Sequence, residues 1–242
     1  MTSQHAILTA EAHRDLTIRT ERAAALGDAA MCCITVPDEF RAVQSEYPIL
    51  FRLSDTRDRF TALAMFGFEN GENLFLEDGR WDARYRPLAI EIQPFLIGGS
   101  PTDDGIGQVH IDLSSPRIDQ GGQGERLFDT MGRPTPYLDR VAGLLGTLDQ
   151  GYRAAPDFFA ALQRHDLLEP FTLDVTLDDG SRNQLVGFHI IAEDRLATLD
   201  AGMLAELNAA GHLLPIYMAI ASLEQFGELV GRRNRRIAHG RG

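Results

Sequence analysis

Between Phe171 and Leu177 apolar and polar residues alternate without a break, and Asp178-Asp179-Gly180 follows at once. Successive side chains on a strand point to opposite faces, so this run buries one face and wets the other. A turn of that composition sends the chain back along Gln184–Ile191, and a β-hairpin is predicted. An all-helical chain is thereby excluded, and the flanking segments decide the class.

Upstream, apolar runs at Met31–Val36, Ile49–Leu53, Ala62–Phe68 and Leu88–Phe95 are separated by Pro37, Pro48, Asn70-Gly71 and Asp78-Gly79. These are turn residues between strand-length segments, so four strands are predicted. A further strand is expected at Val109–Leu113, inside a stretch from Gly98 to Gly124 rich in Gly, Pro, Ser and Asp. Helical spacing then takes over. Leu138, Val141, Leu145 and Leu148 share one face, and Pro156 is placed to open a second helix through Phe158, Phe159 and Leu162. After the hairpin, one helix is predicted over Asp200–Ala210, closed by Gly211. Another is predicted over Pro215–Arg232, with Ile216, Ile220, Leu223 and Val230 buried. Strict βαβ alternation is missing. The predicted class is α+β: a β-rich N-terminal half, a helical insert, a hairpin and a C-terminal helix pair in one domain over 1–242.

Charge narrows the partners. The chain carries a net charge of −12, and an acidic surface repels phosphate backbones and anionic lipids, so neither nucleic acid nor membrane insertion is expected. Arg232, Arg233, Arg235, Arg236 and Arg241 gather in a basic tail over 232–242, where arginine complements a helix C-terminus. There is no lysine. Without an ε-amine the chain forms no Schiff base, anchors no pyridoxal phosphate and presents no Walker-type lysine. The only cysteines, Cys32 and Cys33, are adjacent and lack metal or thioredoxin spacing, so they read as strand filler in a reducing compartment. Residues 1–30 are charged and lack an apolar run, and the stretch Leu213–Leu223 falls short of the ~20 residues a membrane helix needs. The expected location is cytoplasmic.

Several segments carry a resemblance. They are Val36-Pro-Asp-Glu-Phe40, Tyr47-Pro-Ile-Leu-Phe51 and Glu72-Asn-Leu-Phe-Leu-Glu-Asp-Gly-Arg-Trp81 with Tyr85, then Leu127-Phe128 with Gly132 and Thr135, Asp179-Gly180 with Gly187-Phe188, and Leu213–Leu223. In this order and spacing the chain resembles the SapC family from about Glu11 to about Asn234. The family is named from a bacterial surface-layer locus. The resemblance implies an accessory protein beside TonB-dependent uptake or halogenase-like enzymes, one that binds a small molecule, peptide or partner enzyme. One stretch departs from the pattern: Ile90-Glu-Ile-Gln-Pro-Phe95 stands where relatives tend to carry Arg-Arg-Tyr-Pro-Phe.

The candidate ligand-binding residues are Asn73, Phe75, Trp81, Arg84, Tyr85 and Arg86, where the sole tryptophan meets interleaved arginines. Aromatic faces and guanidinium groups suit a carboxylate-bearing or aromatic ligand. The structural alternative makes Phe75 and Trp81 core residues and Asp78-Gly79 a hairpin turn. A metal alternative also arises. His110 and Asp112 share a strand face, and His189 could complete the facial triad of an Fe(II)/2-oxoglutarate oxygenase, with Arg195 on the co-substrate carboxylate. In the family pattern, however, position 110 is small or apolar and 189 aromatic. No GxSxG elbow is present, and Gly105-Ile-Gly107 lacks the third glycine of a dinucleotide fingerprint. With no complete catalytic set, no cofactor is predicted and the balance leans away from an enzyme. A third reading is a homo-oligomeric scaffold pairing through Ile216, Tyr217, Ile220 and Phe226 of the C-terminal helix.

Overall fold

The computed structural model describes residues 4–98, 108–119 and 121–240. Asp103, Asp104, Gly105, Gly107 and Arg241 lie outside them. In the N-terminal half the strands are β1 (His5–Ile7), β2 (Thr17–Ile18), β3 (Cys32–Thr35), β4 (Ile49–Leu53), β5 (Phe60–Met65), β6 (Leu76–Glu77), β7 (Arg80–Trp81) and β8 (Phe95–Gly98). There follow β9 (Gln108–Asp112), β10 (Ile118–Asp119), β11 (Glu125–Arg126), β12 (Leu168–Thr176) and β13 (Arg182–Ile191). The helices are α1 (Ala10–His13), α2 (Phe40–Val43), α3 (Leu88–Glu91), α4 (Pro136–Arg164), α5 (Glu193–Ala197), α6 (Ala201–Ala209), α7 (Leu213–Ser222) and α8 (Gln225–Ala238). The α+β class holds.

The central sheet is antiparallel, in the order β12-β13-β4-β5-β3. The β12–β13 hairpin forms as the alternation requires, and Gly180 takes φ +83° at its turn. A bulge between Phe171 and Leu173 interrupts the ladder. β12 lies at the sheet edge, and Pro170 within it, lacking an N–H, guards that edge against further pairing. On one face Phe158 and Phe159 of α4 meet Phe51, with ring centroids 6.5 and 5.6 Å apart. α7 also packs against β4 and β13, where the Ser222 hydroxyl accepts the Ile49 N–H at 2.9 Å and donates to Ala219 C=O.

Two segments depart from the sequence reading. Leu88–Phe95, read as a strand, is the short helix α3, then a turn through Gln93-Pro94, with β8 starting only at Phe95. A short apolar run has no period long enough to separate strand from helix, and here tertiary partners choose. The buried Glu39 carboxylate accepts the Leu88 N–H at 2.6 Å, while Arg22 and Arg86 both pair with Glu91. Pro156, read as a helix start, lies inside the continuous helix α4. That helix bridges two apolar clusters, with Leu138, Val141 and Leu145 in one and Phe158, Phe159 and Leu162 in the other. Packing at both ends outweighs the one helical hydrogen bond the proline removes.

The stretch Pro215–Arg232 is pinched at Leu223-Glu224 into α7 and α8. Ile216 is buried as expected, but the deepest residues of α8 are Phe226 and Leu229 rather than Val230. By length and composition alone, Leu213–Ala238 contains a stretch apolar enough to cross a membrane, of which 33% is buried in the fold. Ile216 and Leu229 belong to the main core, so withdrawing this helix would empty that core.

At Gly151, α4 comes close to Val36, the residue just past β3. A Cβ there would stand 2.6 Å from Val36 Cγ2. In an open helix Gly→Ala stabilises by roughly 1 kcal/mol. Here Gly151→Ala is expected to destabilise by about 1–3 kcal/mol through overpacking, read as a lower urea midpoint at unchanged slope.

Candidate functional site

The Asn73–Arg86 segment folds as a small hairpin, with Leu76 opposite Trp81 and the turn at Asp78-Gly79. Its aromatic groups point inward. Phe75 and Trp81 are core residues, Trp81 only 7% exposed and edge-on to Phe66 at 5.1 Å. The indole N–H donates to the Tyr47 hydroxyl at 2.8 Å, and that hydroxyl donates to Tyr85 C=O at 2.5 Å. The Tyr85 hydroxyl donates in turn to the buried Glu39 carboxylate at 2.7 Å, which also accepts the Thr35 hydroxyl. Burial pushes both phenols well above the ordinary tyrosine range, for Tyr85 with help from the Glu39 charge. Asn73 is buried as well, donating to Asp28 C=O and accepting the Phe75 N–H.

Of the six candidates, Asn73, Phe75 and Trp81 therefore lie in the core and Tyr85 is half-buried. Arg84 faces outward, paired with Glu46, and Arg86 is half-buried, paired with Glu91. The arginines that do meet the aromatic face come from α8. Arg232 stands 4.4 Å over the Phe75 ring and pairs with Asp82 at 2.7 Å. Arg233 pairs with Glu72, and Arg236 donates to the carbonyls of Asn73 and Leu76 at 2.9 and 3.0 Å. Three of the arginines gathered in the basic tail, Arg232, Arg233 and Arg236, thus clamp α8 onto this hairpin and the Glu72 just before it.

The metal triad does not assemble. His110 and Asp112 lie on β9 in the three-stranded sheet β1-β9-β8, whereas His189 lies on β13 of the central sheet. The His110 ring lies over Gly98, where a Cβ would meet Nε2 at 2.0 Å. The Asp112 carboxylate accepts the Ser114 hydroxyl, the Ser114 N–H and the Gln4 N–H, which hold its pKa below the usual carboxylate range. His189 packs edge-on to Phe60 at 5.0 Å, and burial lowers its pKa. Among the described residues no three His, Cys, Asp or Glu side chains gather as a metal site. Arg195 donates to His165 C=O at 3.1 Å. The oxygenase reading is corrected on these grounds.

Cys32 and Cys33 are free thiols on β3, and burial pushes the Cys33 thiol well above its ordinary range, which leaves little reactive thiolate.

Two clefts flank the contact of α4 with the end of β3. One, of about 310 Å³, is lined by Ile34, Val36, Phe60, Tyr152, Pro156 and Phe159. Its floor is a stacked pair, Phe60 on Phe159 at 6.0 Å, and its exposed rims are Ile34 and Tyr152. Among the described residues neither the Arg59 guanidinium nor the Gln163 amide at its edge has a hydrogen-bond or ion-pair partner. The other, of about 360 Å³, is lined by Arg41, Gly151, Phe158, His212, Pro215 and Met218. There His212, at the start of α7, stands edge-on to Phe158 at 5.6 Å, its pKa lowered by burial against the opposing pull of Asp157. Sequence reasoning missed both clefts. The one local signal was Pro156, a proline within a helix-length apolar pattern.

A family model described as SapC matches residues 8–229. No curated protein and no solved structure matches the chain. The matched span runs from the small sheet at the N-terminus into the first turns of α8, taking in the Trp81 hairpin and both clefts, and the chain belongs to the SapC family.

Proposed function

We propose that this SapC-family chain is an accessory binding protein that takes a small molecule or peptide in the cleft between α4 and the β3–β5 end of the sheet. The observation that carries this reading is the pairing of an apolar floor, Phe60 on Phe159, with polar groups at its edge that have no partner within the described fold. Binding clefts combine these two properties: apolar area supplies affinity and a few free polar groups fix orientation. The Trp81 hairpin serves the site from a distance. It anchors Tyr85 and Glu39, and Glu39 holds Thr35 at the end of β3. A reducing setting inside the cell accords with the two free thiols. A role beside TonB-dependent uptake or halogenase-like enzymes rests on the family resemblance.

A thermal-shift screen of amino acids, peptides, flavins and sugars tests the reading. A ligand at a hundred times its Kd should raise Tm by about 5–10 °C in a chain of this size. Ala160→Trp, which places an indole at the edge of the cleft, should abolish that shift while leaving the unliganded Tm unchanged. If no class shifts the protein, or if Ala160→Trp leaves the shift intact, the reading fails.

A second reading, self-association through the C-terminal helices, draws on the outer face of α7. Leu214 and Tyr217 there are 52% and 49% exposed, whereas Ile216 and Phe226, expected at such an interface, are buried in the core. Light scattering should then give a dimer that Tyr217→Asp dissociates. A monomer at every concentration rules it out.

A further inference from the structure

The ladder between β4 and β5 has a phase that the backbone bonds at its two ends settle. Ser54 N–H donates to Arg59 C=O at 2.9 Å, and Met65 N–H donates to Pro48 C=O at 3.0 Å. In an antiparallel pair hydrogen-bonded and non-bonded positions alternate, so Thr61 and Leu63 also bond toward β4. Phe60, Ala62 and Ala64 direct their backbone groups the other way, toward β3. Ala62 and Ala64 stand opposite Thr35 and Cys33. The register carried two residues further would put Pro37 opposite Phe60, but β3 has ended at Thr35. The chain turns away there through Pro37–Glu39, with Val36 C=O taken by Glu39 N–H at 2.8 Å. Proline has no N–H to offer in any case. The N–H and C=O of Phe60 thus face the cleft as one unfilled rung of the sheet.

On the opposite wall Pro156 lies inside α4 and offers no N–H to the Tyr152 carbonyl one turn before it, and both residues line the same cleft. Both signs of charge meet at the mouth: the Asp58 carboxylate, already engaged by the Ser54 and Thr56 hydroxyls, each at 2.6 Å, and the neighbouring Arg59 guanidinium, which acts on Asp58 through space but donates no hydrogen bond among the described residues.

Resting on the cleft reading above, we propose that the occupant is an extended peptide that continues β3 alongside β5. It exchanges main-chain hydrogen bonds with Phe60, lays an apolar side chain on Phe159, and turns an acidic side chain toward Arg59. A main-chain donor and acceptor on one residue, at the edge of an established sheet, match strand addition better than they match a compact small molecule.

The test uses the full chain, labelled with nitrogen-15. The probes are a pool of acetylated hexapeptide amides with alternating aliphatic and glutamate positions, the same pool N-methylated at alternate residues, and indole-3-acetate as a compact carboxylate. Strand addition predicts that the first pool slows hydrogen exchange of the Phe60 amide at least about tenfold. It also predicts that N-methylation weakens binding about tenfold or more, the equivalent of one lost hydrogen-bonded rung. Arg59→Glu should weaken the acidic pool selectively. Binding that Ala160→Trp blocks but that ignores N-methylation, with the Phe60 amide unchanged, overturns strand addition and leaves the cleft standing. Binding of indole-3-acetate alone has the same consequence. If no probe binds wild type, or if Ala160→Trp blocks nothing, the peptide proposal and the cleft fall together.

Discussion

Asp28→Ala is expected to lower the unfolding free energy by about 3–5 kcal/mol, the largest single-site loss anticipated in this protein. Asp28 is 0% exposed and its principal partner Arg117 only 1%. One carboxylate oxygen accepts Arg117 at 2.5 Å and Arg22 at 3.4 Å, while the other accepts the Ala23 N–H at 2.8 Å. Arg117 also donates to the carbonyls of Arg19 and Glu21. This network ties the chain before β3 to the segment around β10 and, through Arg22, to Glu91 of α3. Removing the carboxylate leaves a guanidinium enclosed without a counter-charge, which is far costlier than losing an exposed ion pair. The double replacement Asp28→Leu with Arg117→Met removes both charges, so it should be less destabilising than Asp28→Ala alone. Urea denaturation of wild type and the two variants reads the order directly. A loss below about 1 kcal/mol for Asp28→Ala would show that the pair is solvated.

Tyr47→Phe is expected to cost about 2–4 kcal/mol, although it deletes a single oxygen. That oxygen receives the Trp81 N–H and donates to Tyr85 C=O, so its loss strands a buried donor and an acceptor at once. The ring itself, packed between Phe66 and Phe75 at 5.2 and 4.6 Å, stays in place. Trp81 is the only tryptophan, which makes its fluorescence a local reporter. A red-shifted emission in folded Tyr47→Phe would mark loosening of the hairpin, and α8 should loosen with it because Arg232 and Arg236 bind that hairpin. Unchanged emission with a loss under about 0.5 kcal/mol would mean that the hydroxyl is dispensable.

Of the residues that looked most like a ligand site, Asn73, Phe75 and Trp81 are buried in the core. Arg84, Tyr85, Trp81 and Phe75 lie close in sequence, and that composition suits ligand recognition or a core equally well. The deciding partners, Tyr47, Glu39 and Arg232, lie some tens of residues to 150 residues away. No local pattern encodes them.

Where one segment's own chemistry determined its conformation, the residues alone were enough. Alternation specified β12 and β13, turn residues specified Asp78-Gly79 and Asp178–Gly180, and Gly211 at φ +74° closed α6. These outcomes follow from backbone sterics and local hydrogen bonding, which act over a few residues. Tertiary structure decided the rest: whether Leu88–Glu91 coiled, whether α4 ran through Pro156, and where His110 and His189 came to lie. It also created the cleft, whose walls come from residues 34–36, 58–62 and 152–163. That shape depends on the register of β3 on β5 and on the approach of α4 at Gly151, both of which are set by packing between segments far apart in the chain.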